Sequence, residues 1–433
     1  MQRIKIQNFH QIKNCDIEIR NILFLIGAQA SGKSTIAKLI HFFKTLQQTY
    51  IQTLLEESTV PLNADNVFQN FRQACLERFI YSIPQEVYSP YEISFFYSGD
   101  SEDYIAFFLH NNRAECRFGS LFHDKAVRET EEYLKKRAID SNVIGMELLL
   151  KNAELAAKTL FNQEEVSVFF PAGRNVVAAF PEALRITFYN ELSKMQMGKD
   201  SLDTEILKNF LIYSAALVDY YHRRGNSFIG EGRNFLQTTF ERILQGKYAV
   251  IDGVERILFE NGYVALNNAS SGQQEVIRLL QDIRYLVENN KKGFRIYEEP
   301  EGHLYPEAQK LLLYALVYMI NITDGSIIIT SHSPYVLSAI NNLMYLYKTW
   351  NKYPQKREEI AANFCFENTG EGAICLDPNK ITAYSLSTTR EEYCSSLIDN
   401  NVELIGNNFL DNETEQMNED FDFLYNINYE AGI

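Results

Sequence analysis

Three kinds of hydrophobic pattern follow one another along the chain. Two-residue alternation opens it. Arg3-Ile4-Lys5-Ile6-Gln7 and Asp16-Ile17-Glu18-Ile19 put apolar side chains on one face, as in half-buried strands. Ile22-Leu23-Phe24-Leu25-Ile26 is apolar throughout and reads as a strand buried on both faces. A helical stretch then runs to about residue 57. Glu92–Tyr97, Tyr104–Leu109 and Ala114–Phe118 form a β-meander with Ser-Gly-Asp and Asn-Asn turns. Residues 124–160 are helical by composition, Val166–Phe170 is an apolar strand stopped by Pro171-Ala172-Gly173-Arg174, and residues 180–245 return to helices. A second β-rich piece spans Tyr248–Leu266, and from Ser270 to about 345 helix and strand alternate in the βαβ rhythm of a parallel sheet. No repeat, low-complexity tract or long heptad run interrupts this order.

The first apolar strand runs into Gly27-Ala28-Gln29-Ala30-Ser31-Gly32-Lys33-Ser34, followed by Thr35 and a helical pattern. Strand, glycine loop and helix together make a phosphate cradle. The loop's N–H groups surround phosphate oxygens, and the helix start adds positive potential. In such a cradle Lys33 reaches the β- and γ-phosphates and Ser34 ligates Mg²⁺. Phe294–Glu298 is a short strand whose end carries Glu298, Glu299 and Glu301. Carboxylates at the C-terminal edge of a parallel strand sit beside bound ligand. There Glu298 is placed to hold Mg²⁺ through water and Glu299 to act as general base. Ser270-Ser271-Gly272-Gln273 opens a helix and is a second place for an anion. Ser326–Ser331 is a third core strand and delivers His332 to the same edge, within reach of a γ-phosphate. Phe9 or His10 is placed to stack on a base, although an aromatic after a first strand also fits a core.

Composition narrows the setting. The chain has 433 residues and 46% hydrophobic content, enough for two or three domains or one domain with insertions. Its formal charge of −15 argues against a broadly basic nucleic-acid coat, although eight acids and no Lys or Arg fall within 401–433. Two short basic runs, Lys135-Lys136-Arg137 and His222-Arg223-Arg224, read as solvated helix faces or as a basic stripe. Six scattered cysteines without C-x-x-C spacing suggest free thiols in a reducing compartment rather than zinc or disulfides. No signal-peptide pattern or bilayer-length apolar run is present, so a cytoplasmic protein with no membrane partner is expected.

The four pieces in this order resemble the ATP-binding-cassette type of ATPase. GAQASGKS resembles Walker A, ASSGQQ the signature motif, IYEEPEGHLYP Walker B plus the D-loop, and ITSHSP the histidine switch. Ser271 stands where transporters usually have glycine, and Glu298 where they have aspartate. EEPEGHLYPEAQ and SHSPYVL are similar to the soluble branch holding the OLD ATPases and the Septu anti-phage ATPase subunit. Arg174 falls near the Q-loop position, without the glutamine found there in relatives. OLD nucleases carry a Toprim domain after the ATPase. Here roughly 85 residues follow the histidine switch, with no strand-borne Glu followed by D-x-D, so no Toprim domain is expected.

The resemblance implies an α/β fold: an ABC-ATPase head with a P-loop parallel sheet, an N-terminal antiparallel β subdomain, an inserted helical arm and a small C-terminal α/β appendage. The expected parts are 1–120, 121–247, 248–348 and 349–433. It also implies ATP and Mg²⁺ as cofactors, ATP hydrolysis, and a head-to-tail homodimer or larger homo-oligomer. In that dimer Lys33, Ser34, Glu298, Glu299 and His332 of one copy face Ser270, Ser271, Gly272 and Gln273 of the other. Three roles are consistent with this. One is a defence ATPase gating a separately encoded nuclease or toxin. The second is a DNA-repair ATPase resembling RecF or SMC heads. The third is an ATP-locked scaffold without turnover. An acidic helix over 411–424, with Phe409, Phe421, Phe423 and Leu424 apolar, docks on the chain itself or on a partner.

Overall fold

A computed structural model describes residues 1–56, 63–83, 89–111, 113–140, 146–174, 201–225, 228, 233–364, 373–399 and 402–406. The N-terminal part contains β1 (Gln2–Phe9), β2 (Ile12–Ile19), β3 (Ile22–Gly27), α1 (Lys33–Glu56), α2 (Ala64–Ser82), β4 (Tyr91–Phe96), β5 (Tyr104–His110) and β6 (Arg113–Phe118). Next come α3 (Ser120–Asp140), α4 (Met146–Phe161), β7 (Ser167–Phe170), α5 (Leu202–Arg224) and α6 (Arg233–Leu244). The last part holds β8 (Lys247–Ile251), β9 (Val254–Phe259), β10 (Gly262–Ala265), α7 (Ser271–Glu288), β11 (Phe294–Glu298), α8 (Pro306–Thr323), β12 (Ser326–Ser331), α9 (Pro334–Lys352), β13 (Ile381–Leu386) and β14 (Cys394–Ser396).

The central sheet has the order β14-β13-β3-β12-β11-β7. Its five inner and far-edge strands run parallel, and β14 closes one edge antiparallel. Apolar continuity in these strands follows from burial on both faces. Ile22, Phe24 and Ile26 of β3 enter one core, with α5–α9 packed over it. Leu23 and Leu25 enter the other, with α1–α4 and the antiparallel sheet. β11 and β12 divide the same way, Tyr297, Ile327 and Ile329 to the first core and Ile296 and Ile328 to the second. The alternating strands β1 and β2 join the meander in one antiparallel sheet, β2-β1-β4-β5-β6. β8–β10 form a separate three-stranded sheet.

Two of the expected parts contribute elements to the body of the fold. In the part expected as a C-terminal appendage, β13 pairs in parallel with the phosphate-loop strand, Ile381 opposite Ile22 through Leu386 opposite Gly27. The apolar positions Ile381 and Ala383 face the same core as Ile22 and Phe24, and that burial draws the segment into the sheet. Within the part expected as a helical arm, 121–247, α3 and α4 pack against the N-terminal body. Phe122, Ala126, Ala153, Ala157, Leu160 and Phe161 are buried against α1 and α2, and β7 joins the central sheet. The acidic stretch 411–424 lies outside the described residues.

Candidate nucleotide site

β3 is buried along its whole length, so the loop that follows emerges at the C-terminal edge of the parallel sheet. Gly27, Ser31, Gly32 and Lys33 are buried, Ser34 and Thr35 half-buried, and Ala28, Gln29 and Ala30 exposed. Ala30 (φ 60°) and Gly32 (φ 94°) take left-handed backbone, which turns the loop back on itself. Gly32 admits no side chain for a second reason: a Cβ there would run into the Tyr393 hydroxyl and sit 3.1 Å from Ile12 Cγ1. Tyr393, just before β14, donates its hydroxyl to the Ser31 carbonyl. The C-terminal segment thus buttresses the loop, a contact nothing in the local sequence announces. The Lys33 ammonium donates to the carbonyls of Gly27 (2.8 Å) and Ala28 (2.9 Å). Burial lowers its pKa, while Glu299, Glu301 and Glu298 oppose that shift.

The acidic cluster sits one and two strands away. β12 lies between β3 and β11, so His332, Glu298 and Glu299 leave adjacent strands at the same edge as the loop. Glu298 is buried, and its Oε2 accepts the Ala172 N–H at 3.0 Å. The Glu299 N–H continues the ladder to the Thr330 carbonyl at 3.0 Å, but its φ of 45° swings the side chain out of the strand. There Glu299 Oε1 lies 3.3 Å from His332 Nδ1. The contact with His332 lowers the Glu299 pKa and raises that of His332. Glu299 therefore stays ionised, as an acceptor for a water proton must.

Glu301, the third acid of the run, had no role from sequence. It is buried, and its Oε1 accepts from the Ser331 hydroxyl and, at 3.3 Å, from the His332 N–H. It thereby holds the corner from which His332 emerges, and burial raises its pKa. Its one signal in the sequence was position, three residues after Glu298 at a strand end.

Arg174, near the Q-loop position, is turned into the fold. Its guanidinium is fully buried and donates to the carbonyls of Pro171 (2.9 Å), Glu298 (2.6 Å) and Glu299 (3.0 Å). It lies 3.7 Å from Glu275 on α7. Phe9 is core, 2% exposed and edge-on to Tyr91, so it cannot stack on a base. His10 is exposed at the β1–β2 turn. Ser270 caps α7: its hydroxyl accepts the Gln273 N–H, and the Gln273 side chain accepts the Ser270 N–H. Ser270 and Ser271 are exposed and Gly272 is buried, its position pressed against the His303 carbonyl where a Cβ would lie 2.5 Å away. In the basic runs Lys135 pairs with Glu131 and Arg223 with Asp219 on solvated helix faces, while Arg224 pairs with the buried carboxylate of Glu288.

The donor set suits Mg²⁺. A Ser34 hydroxyl and a Glu298 carboxylate are hard oxygen ligands, and Mg²⁺ keeps most of its waters beside one or two such groups. No cluster of three or more His, Cys, Asp or Glu that would hold an all-protein metal site occurs among the described residues. No described helix is long and apolar enough to cross a membrane.

A glycine loop on a buried parallel strand, a buried lysine on it, and carboxylates and a histidine at the same edge define the site of a P-loop nucleoside triphosphatase. The sequence profile of the AAA ATPase domain matches residues 1–168 and 125–337, and the chain belongs to that family. It is therefore a P-loop ATPase by class. No curated protein matches the sequence. Among solved structures it is similar to an SMC head bound to the C-terminal winged-helix domain of ScpA, at 12% identity and TM-score 0.35, over 78% of this chain and 91% of that one. It is also similar to the SMC head domain from Thermotoga maritima, at 11% identity and TM-score 0.33, over 78% and 90%. A third is an SMC head with an extended coiled coil bound to the C-terminal domain of ScpA, from Pyrococcus furiosus, at 11% identity and TM-score 0.32, over 79% and 92%. These superpositions are loose, and the family assignment rests on the profile.

Proposed function

We propose that the chain binds Mg²⁺-ATP on the loop Gly27–Thr35 and hydrolyses it at the Glu299–His332 edge. Two copies close head to tail around the nucleotide, and the closed dimer gates a separate effector. The observation that carries this reading is the shared edge: Lys33, Glu298, Glu299 and His332 end on adjacent parallel strands. Mg²⁺, held by Ser34 and Glu298, supplies charge neutralisation of the phosphates. Loop N–H groups and Lys33 orient the phosphates. Glu299 accepts the proton of the attacking water, and His332, whose pKa the Glu299 carboxylate raises, is placed to donate toward the γ-phosphate. The capped start of α7, with Ser270 and Ser271 exposed, supplies Ser270, Ser271 and Gln273 to the partner copy's phosphate, while Gly272 lets the helix start pack closely on His303. Excluding water between the copies is what makes turnover depend on dimerisation.

The resemblance of EEPEGHLYPEAQ and SHSPYVL to the OLD and Septu branch supports a role in anti-phage defence, with a nuclease or toxin as effector. The test is solution mass with and without Mg²⁺-ATP, for the wild type and for Glu299→Gln. A nucleotide-dependent dimer, trapped by the variant together with loss of turnover, is expected. An unchanged mass with ATP bound would refute the sandwich. Survival of cellular function in the Glu299→Gln variant would favour the ATP-locked scaffold.

A further inference from the structure

α7 begins at the surface with Ser270–Gln273, yet one turn later it carries a buried carboxylate directed at the catalytic edge. Glu275 is 4% exposed. Its Oε2 lies 3.7 Å from Arg174 Nη2, and its Oε1 lies 3.6 Å from His303 Nε2. The same Arg174 guanidinium is fastened to the carbonyls of Glu298 and Glu299. The planar guanidinium is thus hydrogen-bonded to carbonyls on the strand side and ion-paired at 3.7 Å on the α7 side, so it couples the two elements. His303 closes a second link, because its carbonyl abuts Gly272 in the first turn of α7. The turn from Glu299 to His303 is itself poised. Glu299 (φ 45°) and His303 (φ 59°) are both non-glycine residues in the left-handed region, a conformation that persists only while its neighbours impose it. Four carboxylates, Glu275, Glu298, Glu299 and Glu301, surround this one buried cation.

We propose that Arg174 and Glu275 are positioning residues that form a link in cis from the Glu298–Glu299 turn to the first turn of α7. Events at the Glu299 carboxylate move the carbonyls that Arg174 grips. Arg174 carries Glu275, and Glu275 resets Ser270–Gln273. The consequence for a second copy rests on the sandwich reading above. The link itself lies within one chain and does not.

The closing experiment separates the two. Ser271→Arg places a bulky charge on the exposed helix start and blocks any contact in trans. In that chain, amide hydrogen exchange over residues 271–278 is compared with and without Mg²⁺-ATP. The link predicts a nucleotide-dependent change in exchange that persists in Ser271→Arg and vanishes when Glu275→Gln is added. The nucleotide Kd should stay within about twofold, while kcat of the Glu275→Gln single variant falls about tenfold, the size of a typical coupling. No exchange response in Ser271→Arg, or one that survives Glu275→Gln, overturns the link. A Kd that rises as much as kcat falls overturns it as well, because that would mark collapse of the site. If Glu275→Gln does not fold, His303→Asn decides. That side chain is 60% exposed, and asparagine tolerates the left-handed backbone. Failure of the sandwich reads out separately, as a wild type whose mass ignores ATP.

Discussion

α1 and α7 both bury apolar faces in the fold, but they are fastened differently. α1, which follows the phosphate loop, is packed by aromatic rings. Phe42 and Phe43 lie among Phe79, Phe95 and Phe107, with Phe79 stacked on Phe107 at 4.2 Å between centroids. α7, which carries the Ser270 start, is held by buried ion pairs to three different elements. Glu275 pairs with Arg174 after β7, Arg278 with Glu255 on β9, and Asp282 with Arg295 on β11. The Asp282 carboxylate also accepts the hydroxyls of Tyr213 and Tyr297.

Ionisable groups behave accordingly. On the α1 side burial discharges them: His41 is driven down to about 3 and Lys44, over the Phe294 ring, down to about 7. On the α7 side burial also opposes the Arg295 charge, but Asp282 more than offsets it and the pKa rises. Apolar packing is non-directional and tolerates small changes of shape, which suits a rigid cradle. Buried ion pairs are directional and costly to break, which suits an element that must keep one register against several partners.

The largest expected effect comes from breaking that register. Asp282→Ala strands Arg295 with two tyrosine hydroxyls and should cost about 3–5 kcal/mol in denaturant unfolding. A loss under 1 kcal/mol would mean the pairs do not hold α7. On the other side, Lys44→Met should stabilise the protein at pH 7 by about 1–3 kcal/mol, since it removes a buried amine and keeps the packing. The sign with pH follows from the lowered pKa. Between about 7 and the ordinary 10.5 the unfolded chain binds the proton that the folded chain has lost. Stability therefore climbs with pH across that window, and the climb should disappear in Lys44→Met.

A smaller effect tests the buttress on the cradle. Tyr393→Phe removes the hydroxyl bonded to the Ser31 carbonyl and should weaken nucleotide binding by about 0.5–1.5 kcal/mol, a few-fold in Kd by titration. The smallest concerns Glu299 and His332, which are 35% and 55% exposed, so solvent screening holds their pair to below about 1 kcal/mol. His332, with its raised pKa, contributes fully below 6.5 and loses that contribution as pH rises through the folded value. Glu299, with its lowered pKa, contributes above 4.5 and loses it as pH falls through the folded value. Stability should plateau between the two, and His332→Ala should remove the alkaline limb.

Much of the site was legible because it is local. The spacing Gly27 to Ser34, the carboxylates after Phe294–Tyr297 and the histidine after Ser326–Ser331 each sit at the end of an apolar strand, so pattern alone placed them at one edge. Arg174, Glu275 and Glu301 were not assigned roles by that reading. Their chemistry is set by distant partners, from Ser331, 30 residues beyond Glu301, to Glu299, 125 residues beyond Arg174, and a charged residue in a sequence looks the same whether solvated or buried.

Hydrophobic period and loop spacing by themselves determined the strands, the glycine loop and the residue types at the shared sheet edge, because those depend on neighbours in the chain. Only the tertiary structure decided that β13 completes the sheet beside β3, that Tyr393 closes over the loop and that α7 is tied by buried charge pairs as well as by apolar contact. Each of these depends on burial, and burial is a property of the assembled fold: it drew β13 into the core and turned isolated charges into pairs.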